Sequence, residues 1–262
     1  MLLSVEQVHG ANIRARDGVI GTAEDFYFDD TQWYARYLVV NTGGWLSGRK
    51  VLITPHAVSA YDAARHELQV SLTRDQVSNS PDIDTDKPVS RQYEARLHDY
   101  YGWSPYWGEG LISGNLPPTP EGAGPAYTGD PVTSRVGRAE VAAARSRIEK
   151  DMGDPHLRSA RTVIGHRIRA TDGDIGHVED FLLEDRNWAI RYMVVDTRNW
   201  LPGKKVLVSP QWIENVSWPE RRVTVDLTRE QIKNSPEYDP SRQIERGYED
   251  RLFHHYGRAP YW

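Results

Sequence analysis

The chain has 262 residues, 39% hydrophobic and 26% charged, with no cysteine and a formal net charge of −5. That is the composition of a folded globular protein with room for two ordinary domains, and it excludes disulfides, thiolate metal sites and cysteine nucleophiles. An acidic balance, with a pI near 6.0, also argues against a general nucleic-acid or anionic-membrane binder, which needs a basic surface. No apolar run approaches the roughly 18 residues that cross a bilayer; Tyr37-Leu38-Val39-Val40 is typical. Met1-Leu2-Leu3-Ser4-Val5-Glu6 lacks the basic and long apolar stretches of a signal peptide, so a cytoplasmic address is expected.

In chain order, Asp17-Gly18 predicts a hairpin turn, because glycine supplies the positive φ such turns need. Phe26, Phe28, Trp33, Tyr37, Val39 and Asn41 then alternate as a strand face would. Trp45-Leu46-Ser47-Gly48 reads as a connection with a large aromatic at its tip, followed by strands over 50–53 and 68–72. Thr73-Arg74-Asp75-Gln76 is a T-x-x-Q capping box, predicting a short helix that stops before Pro81. A second helix, from about 91 to 101, ends at Gly102, and the tail closes on Pro105-Tyr106-Trp107. Residues 108–135 are rich in Gly and Pro and cannot hold a helix or paired strand, while Arg138 to Lys150 has good helix formers.

The order then repeats. With a shift of 155 residues, Arg169-Ala170-Thr171-Asp172-Gly173 falls on Arg14-Ala15-Arg16-Asp17-Gly18, and Glu179-Asp180-Phe181 falls on Glu24-Asp25-Phe26. Arg191-Tyr192-Met193-Val194-Val195 matches Arg36-Tyr37-Leu38-Val39-Val40, and Pro260-Tyr261-Trp262 matches Pro105-Tyr106-Trp107. About 45 identities in about 100 positions make this a duplication, and so long a period means tandem globular units rather than a solenoid. The expected organisation is one copy over 1–107, a connector over 108–153 and a second copy over 154–262.

The order D-G-x-I-G-x-x-E-D-F, then W-x-x-R-Y-x-V-V, then K-V-L, closing on L-T-R-x-Q, resembles the PRC-barrel family. That family is named after the cytoplasmic domain of the photosynthetic reaction-centre H subunit and includes the C-terminal domain of a ribosome maturation factor. Asp99-Tyr100-Tyr101-Gly102 up to Trp107 is similar to the H-subunit ending and tilts the resemblance toward that branch. The resemblance implies a mainly β chain of two tandem small antiparallel barrels, each with a short C-terminal helical tail. It further implies a non-catalytic protein-interaction and assembly module without cofactor or metal, whose two copies pair. Its partner would be another protein, with any membrane association at the inner membrane borrowed from that partner. The alternative is an RNA-processing or ribosome-maturation role, which the acidic balance counts against.

The recurring acids Glu24-Asp25 and Glu179-Asp180 lie next to each other on a strand and so face opposite ways, unlike a general acid/base pair. A structural role is expected for them, pairing with Arg36 and Arg191 or bonding to hairpin backbone. In the H subunit, acids in the following hairpin lie near a proton-entry route. The matching stretches here are Asp29-Asp30-Thr31-Gln32 and Glu184-Asp185-Arg186-Asn187, in which Gln32 and Asn187 cannot relay a proton as a carboxylate would. The histidines scatter: His9, His56, His66, His98 and His177 face Ile164, Gln211, Arg221, Phe253 and Thr22 in the other copy. A metal needs three or four converging ligands, so no metal site is expected. Trp33/Trp188, Tyr37/Tyr192 and Tyr101/Tyr256 read as core. Trp45 and Trp200, with the tails Tyr106-Trp107 and Tyr261-Trp262, sit on loops and ends, where aromatic surface marks contacts. Docking of each tail across the other copy's barrel is the favoured contact.

Overall fold

The structure, a computed structural model, describes residues 1–81, 83, 89, 91–103, 156–197 and 204–262. The first copy runs β1 (Leu2–Ser4), α1 (Val5–Val8), β2 (Asn12–Ala15), β3 (Gly18–Asp29), β4 (Tyr34–Asn41), β5 (Lys50–Ile53), β6 (Val58–Asp62), β7 (Glu67–Val70), α2 (Arg74–Ser78) and α3 (Arg91–Tyr101). The second runs β8 (Leu157–Ser159), α4 (Ala160–Val163), β9 (Arg167–Ala170), β10 (Gly173–Glu184), β11 (Ile190–Asp196), β12 (Lys205–Val208), β13 (Ile213–Ser217), β14 (Arg222–Val225), α5 (Arg229–Lys233) and α6 (Arg246–Tyr256). Residues 1–77 and 156–262 form one compact unit. In the other unit, α3 has Tyr93 donating to the Pro81 carbonyl at 2.8 Å, and Trp103 stacks 4.2 Å from Tyr101 just past Gly102.

Two seven-stranded sheets carry the fold, ordered β5-β4-β3-β2-β7-β6 and β12-β11-β10-β9-β14-β13, each with one further strand. Simple antiparallel barrels were the expectation, and the structure corrects it. β2 and β7 run parallel, as do β9 and β14, because the chain returns to β2 only after visiting β4 to β6. Among the described residues neither strand path closes on itself. The seventh strand of each sheet comes from the other copy. β1 pairs antiparallel with β10, Leu3 opposite Leu183, and β8 pairs with β3, Arg158 opposite Phe28.

The long strands β3 and β10 can serve two neighbours because they bend. Along β3 the buried apolar positions are Ile20, Ala23, Phe26 and Phe28, a spacing of three, three and two instead of a steady two. Register shifts beside Gly21 and at Glu24 account for it, each a bulge that turns the strand. Gly21 permits the close approach to the end of β4. A Cβ there would lie 2.1 Å from the Asn41 carbonyl oxygen, and one on Gly176 would lie 1.9 Å from that of Asp196. No other residue fits so close an approach of β3 to β4.

The hairpin glycines Gly18 and Gly173 take φ of 148° and 147°. The carboxylates of Asp17 and Asp172 accept the first N–H of α2 and α5, from Arg74 and Arg229, at 2.8 Å each. Thr228 and Gln231 form the reciprocal capping box, and Thr73 and Gln76 exchange the same two bonds. Trp33 and Trp188 depart from the strand reading: each closes the next hairpin with a left-handed φ, 59° and 61°. Trp188 is nonetheless buried.

Candidate functional site

The residues that carry chemistry in the sequence converge on the seam where the copies exchange strands. Ser4 caps α1 by accepting the Gln7 N–H at 3.1 Å, while its hydroxyl donates to Asp180 of the other copy. The other Asp180 oxygen accepts the Glu6 N–H at 3.1 Å and the Phe181 N–H at 2.7 Å. The duplicate repeats this: Ser159 caps α4 and donates to Asp25 at 2.5 Å, and Asp25 accepts the N–H groups of Arg161 and Phe26 at 3.2 and 2.8 Å. Each carboxylate, buried in Asp180 and half-buried in Asp25, is thus a clasp from the middle of one copy to the first turn of the other. Burial pushes Asp180 up to about 6 against these hydrogen bonds, and burial likewise raises Asp25.

The hairpins after β3 and β10 meet across the same seam. Trp33 and Trp188, turned into the left-handed region, aim their carbonyls at the other copy. The Ile190 N–H donates to Trp33 at 2.7 Å and the Ala35 N–H to Trp188 at 2.9 Å. Behind them Phe28 packs between Trp33 and Phe181, with centroids 5.2 and 5.6 Å away, and Phe26 packs on Trp188 at 5.9 Å. Asp30 accepts from Arg158 at 2.8 Å and contacts His156 at 3.0 Å, and Asp185 meets the Met1 amino group at 2.7 Å. Of the acids compared with a proton route, Asp30 and Asp185 therefore anchor the exchanged strands, while Asp29 and Glu184 bond arginines of their own copy.

The acid and arginine pairing differs from expectation. The bulge at Glu24 lets that side chain reach Lys50 at 2.5 Å, and Glu179 reaches Lys205 at 2.7 Å, while Asp25 and Asp180 cross the seam. Arg36 instead bonds Asp29 at 3.3 Å and Gln32 at 2.6 Å, and Arg191 bonds Glu184 through Nε at 2.7 Å. Burial alone would raise Asp29, yet the Thr31 hydroxyl and N–H, the Gln32 N–H and the Arg36 guanidinium hold it below the ordinary range.

Of the aromatics singled out on loops, Trp45 is half-buried beneath the Arg74 guanidinium, 4.7 Å from its ring. Tyr106, Trp107 and Trp200, with the connector 108–153, lie outside the described residues. The second tail docks on its own copy instead of across the other. Tyr261 lies 4.2 Å beneath Arg191 and donates to Glu249 of α6 at 2.7 Å; Trp262, 47% exposed, packs 5.4 Å from Phe253 under Arg246. Glu249 also accepts from buried Tyr192 at 2.8 Å. Burial first, then Glu249, pushes the Tyr261 phenol to about 12 and Tyr192 higher. Sequence reading missed this cluster, although both copies keep most of its members, among them Tyr37, Arg91, Glu94 and Tyr106 against Tyr192, Arg246, Glu249 and Tyr261.

Among the described residues no group of three or more His, Asp or Glu converges as a metal would require, and no helix is long and apolar enough to cross a membrane. Two clefts open along the seam. One of about 340 Å³ lies between α1, α4 and β3, lined by Glu6, His9, Glu24, Asp25 and Arg161 among others. One of about 200 Å³ lies between β1, the turn after β6 and residues 238–244.

Compared with known families, a model of the PRC-barrel domain matches residues 4–77 and again residues 155–232, more than half of the chain. No curated protein matches the chain.

Proposed function

Because the chain belongs to the PRC-barrel family, with one domain in each copy, we propose that it is a non-catalytic protein-interaction and assembly module, similar in kind to the H-subunit cytoplasmic domain whose ending the first tail resembles. The observation that carries this reading is the fate of the acids. Asp25 and Asp180 cap the other copy's first helix, Asp30 and Asp185 hold its first strand, and Glu24 and Glu179 are bound to lysines. These groups are committed to rigidity, and a rigid body with two related faces suits holding other proteins in fixed relation. Affinity capture with the full chain from native extract, probing membrane and ribosomal fractions separately, tests the reading. A saturable, stoichiometric protein partner in the membrane or soluble fraction supports it. Enrichment of ribosomal subunits overturns it in favour of a maturation role.

A further inference from the structure

The duplication lets each end of the seam be compared with its counterpart, and the ends differ. At one end Trp218, just past β13, has the Arg158 guanidinium 4.4 Å over its ring and the His166 ring 6.0 Å away, and Arg158 Nε donates to Asp30 at 2.8 Å. At the other end the counterparts of Trp218, Arg158 and His166 are Ala63, Leu3 and Ala11. The cleft of about 200 Å³ lies there, with Leu3, Tyr61, Leu182 and Ile244 in its walls beside the polar Gln7 and Arg242. Leu3, Leu182 and Tyr238 are all under 9% exposed, and the Tyr61 hydroxyl donates to the Gln7 carbonyl at 3.0 Å, which fixes one wall.

We infer that this cleft is a socket for one aromatic side chain of a protein partner, flanked in that partner by a basic residue; the inference rests on the assembly reading above. Size favours a side chain. An apolar cavity of about 150 Å³ takes up a benzene ring, whereas sites for drug-sized ligands and cofactors run to about 300 Å³ and more. Chemistry is indicated by the filled end, where the protein places an indole under a guanidinium. Asp185, counterpart of the Asp30 that binds Arg158, stands at the open end held by the Met1 amino group, and Arg242 in the cleft wall is paired with Asp239, so a basic residue in the partner replaces Met1 at Asp185. The socket is also continuous with the seam, since both copies contribute walls.

The test titrates N-acetyl-Arg-Trp-amide and N-acetyl-Arg-Ala-amide into the methyl-labelled full chain, followed by NMR. The Trp peptide should shift the methyls of Leu2, Leu3, Leu182 and Ile244, saturating in the millimolar range, and the Ala peptide should not. Ala63→Trp, on an exposed turn, should fold, raise the melting temperature and weaken the Trp peptide at least tenfold, with Leu3→Arg as a second blocking variant. Absence of shifts in the unsubstituted protein, or equal affinity in Ala63→Trp, overturns the socket. If a stoichiometric native partner is captured equally by both proteins, the socket fails and the assembly reading stands. If the peptide binds as expected but neither protein retains a partner, the assembly reading fails instead.

Discussion

Asp180 offers the sharpest separation of charge from hydrogen bonding. Replacing it with Asn keeps an oxygen for the Glu6 and Phe181 N–H groups and supplies an NH₂ donor to the Ser4 oxygen, whereas Ala orphans all three. Each buried orphan costs about 1–3 kcal/mol, so Asp180→Ala should be less stable than Asp180→Asn by about 3 kcal/mol or more. The charge itself works against the fold. With Asp180 pushed up to about 6 by burial, ionisation disfavours the native state by about 3 kcal/mol relative to an ordinary aspartate. A carboxylate raised in the folded state binds more protons there than in the unfolded chain. Its stabilising contribution is therefore present at acid pH and is lost as pH rises through the window ending near 6. Between pH 7 and pH 5 the unsubstituted protein should gain about 1.4 kcal/mol that Asp180→Asn does not gain. Urea unfolding of both proteins at the two pH values measures this double difference, in which other titrating groups cancel. A flat difference, or gain on the Asn side, would refute the reasoning.

Gly176→Ala should cost more than about 3 kcal/mol, since its Cβ would collide with the Asp196 carbonyl, whereas Gly48→Ala, with φ of 78° and open space, should cost about 1 kcal/mol; thermal melts of the pair compare the two. Phe28→Ala removes the ring between Trp33 and Phe181 and should cost about 3–5 kcal/mol by denaturant titration. Lys50→Ala breaks only a partly exposed pair with Glu24 and should change stability by less than about 1 kcal/mol in the same titration. Glu249→Ala orphans the hydroxyls of Tyr192 and Tyr261, and should both destabilise the protein by about 2–4 kcal/mol and speed hydrogen exchange over residues 257–262.

Local signals in the sequence were strong where short-range chemistry decides. The T-x-x-Q boxes, the Asp-Gly hairpins and the terminating Gly102 and Gly257, with φ of 69° and 62°, each act within a few residues. What could not be read locally was which copy receives β1 and β8. Leu2-Leu3-Ser4 and Leu157-Arg158-Ser159 suit either sheet, and the choice follows from clasps about 175 and 135 residues apart in the chain, Ser4 to Asp180 and Ser159 to Asp25. The bulge at Glu24 interrupts the two-residue period of β3, and it sends Glu24 to Lys50 and Asp25 to Ser159 instead of to Arg36. Trp33 and Trp188 looked like strand residues by composition, while their role depends on a backbone conformation that aromatic side chains seldom adopt. Glu249 went unnoticed because a lone carboxylate on a helix reads as surface, and only its recurrence with two tyrosines distinguishes it.

Strand exchange between the copies is open to direct measurement in a chain without native cysteine. Leu2 stands opposite Glu184, and without exchange its partner would be Asp29, the residue that faces Leu157. Facing antiparallel positions lie within disulfide reach. Oxidised Leu2→Cys/Glu184→Cys should form an intramolecular disulfide in the monomer, detected by peptide mass spectrometry, while Leu2→Cys/Asp29→Cys should remain reduced. Cross-linking of the second pair and not the first would contradict the exchange.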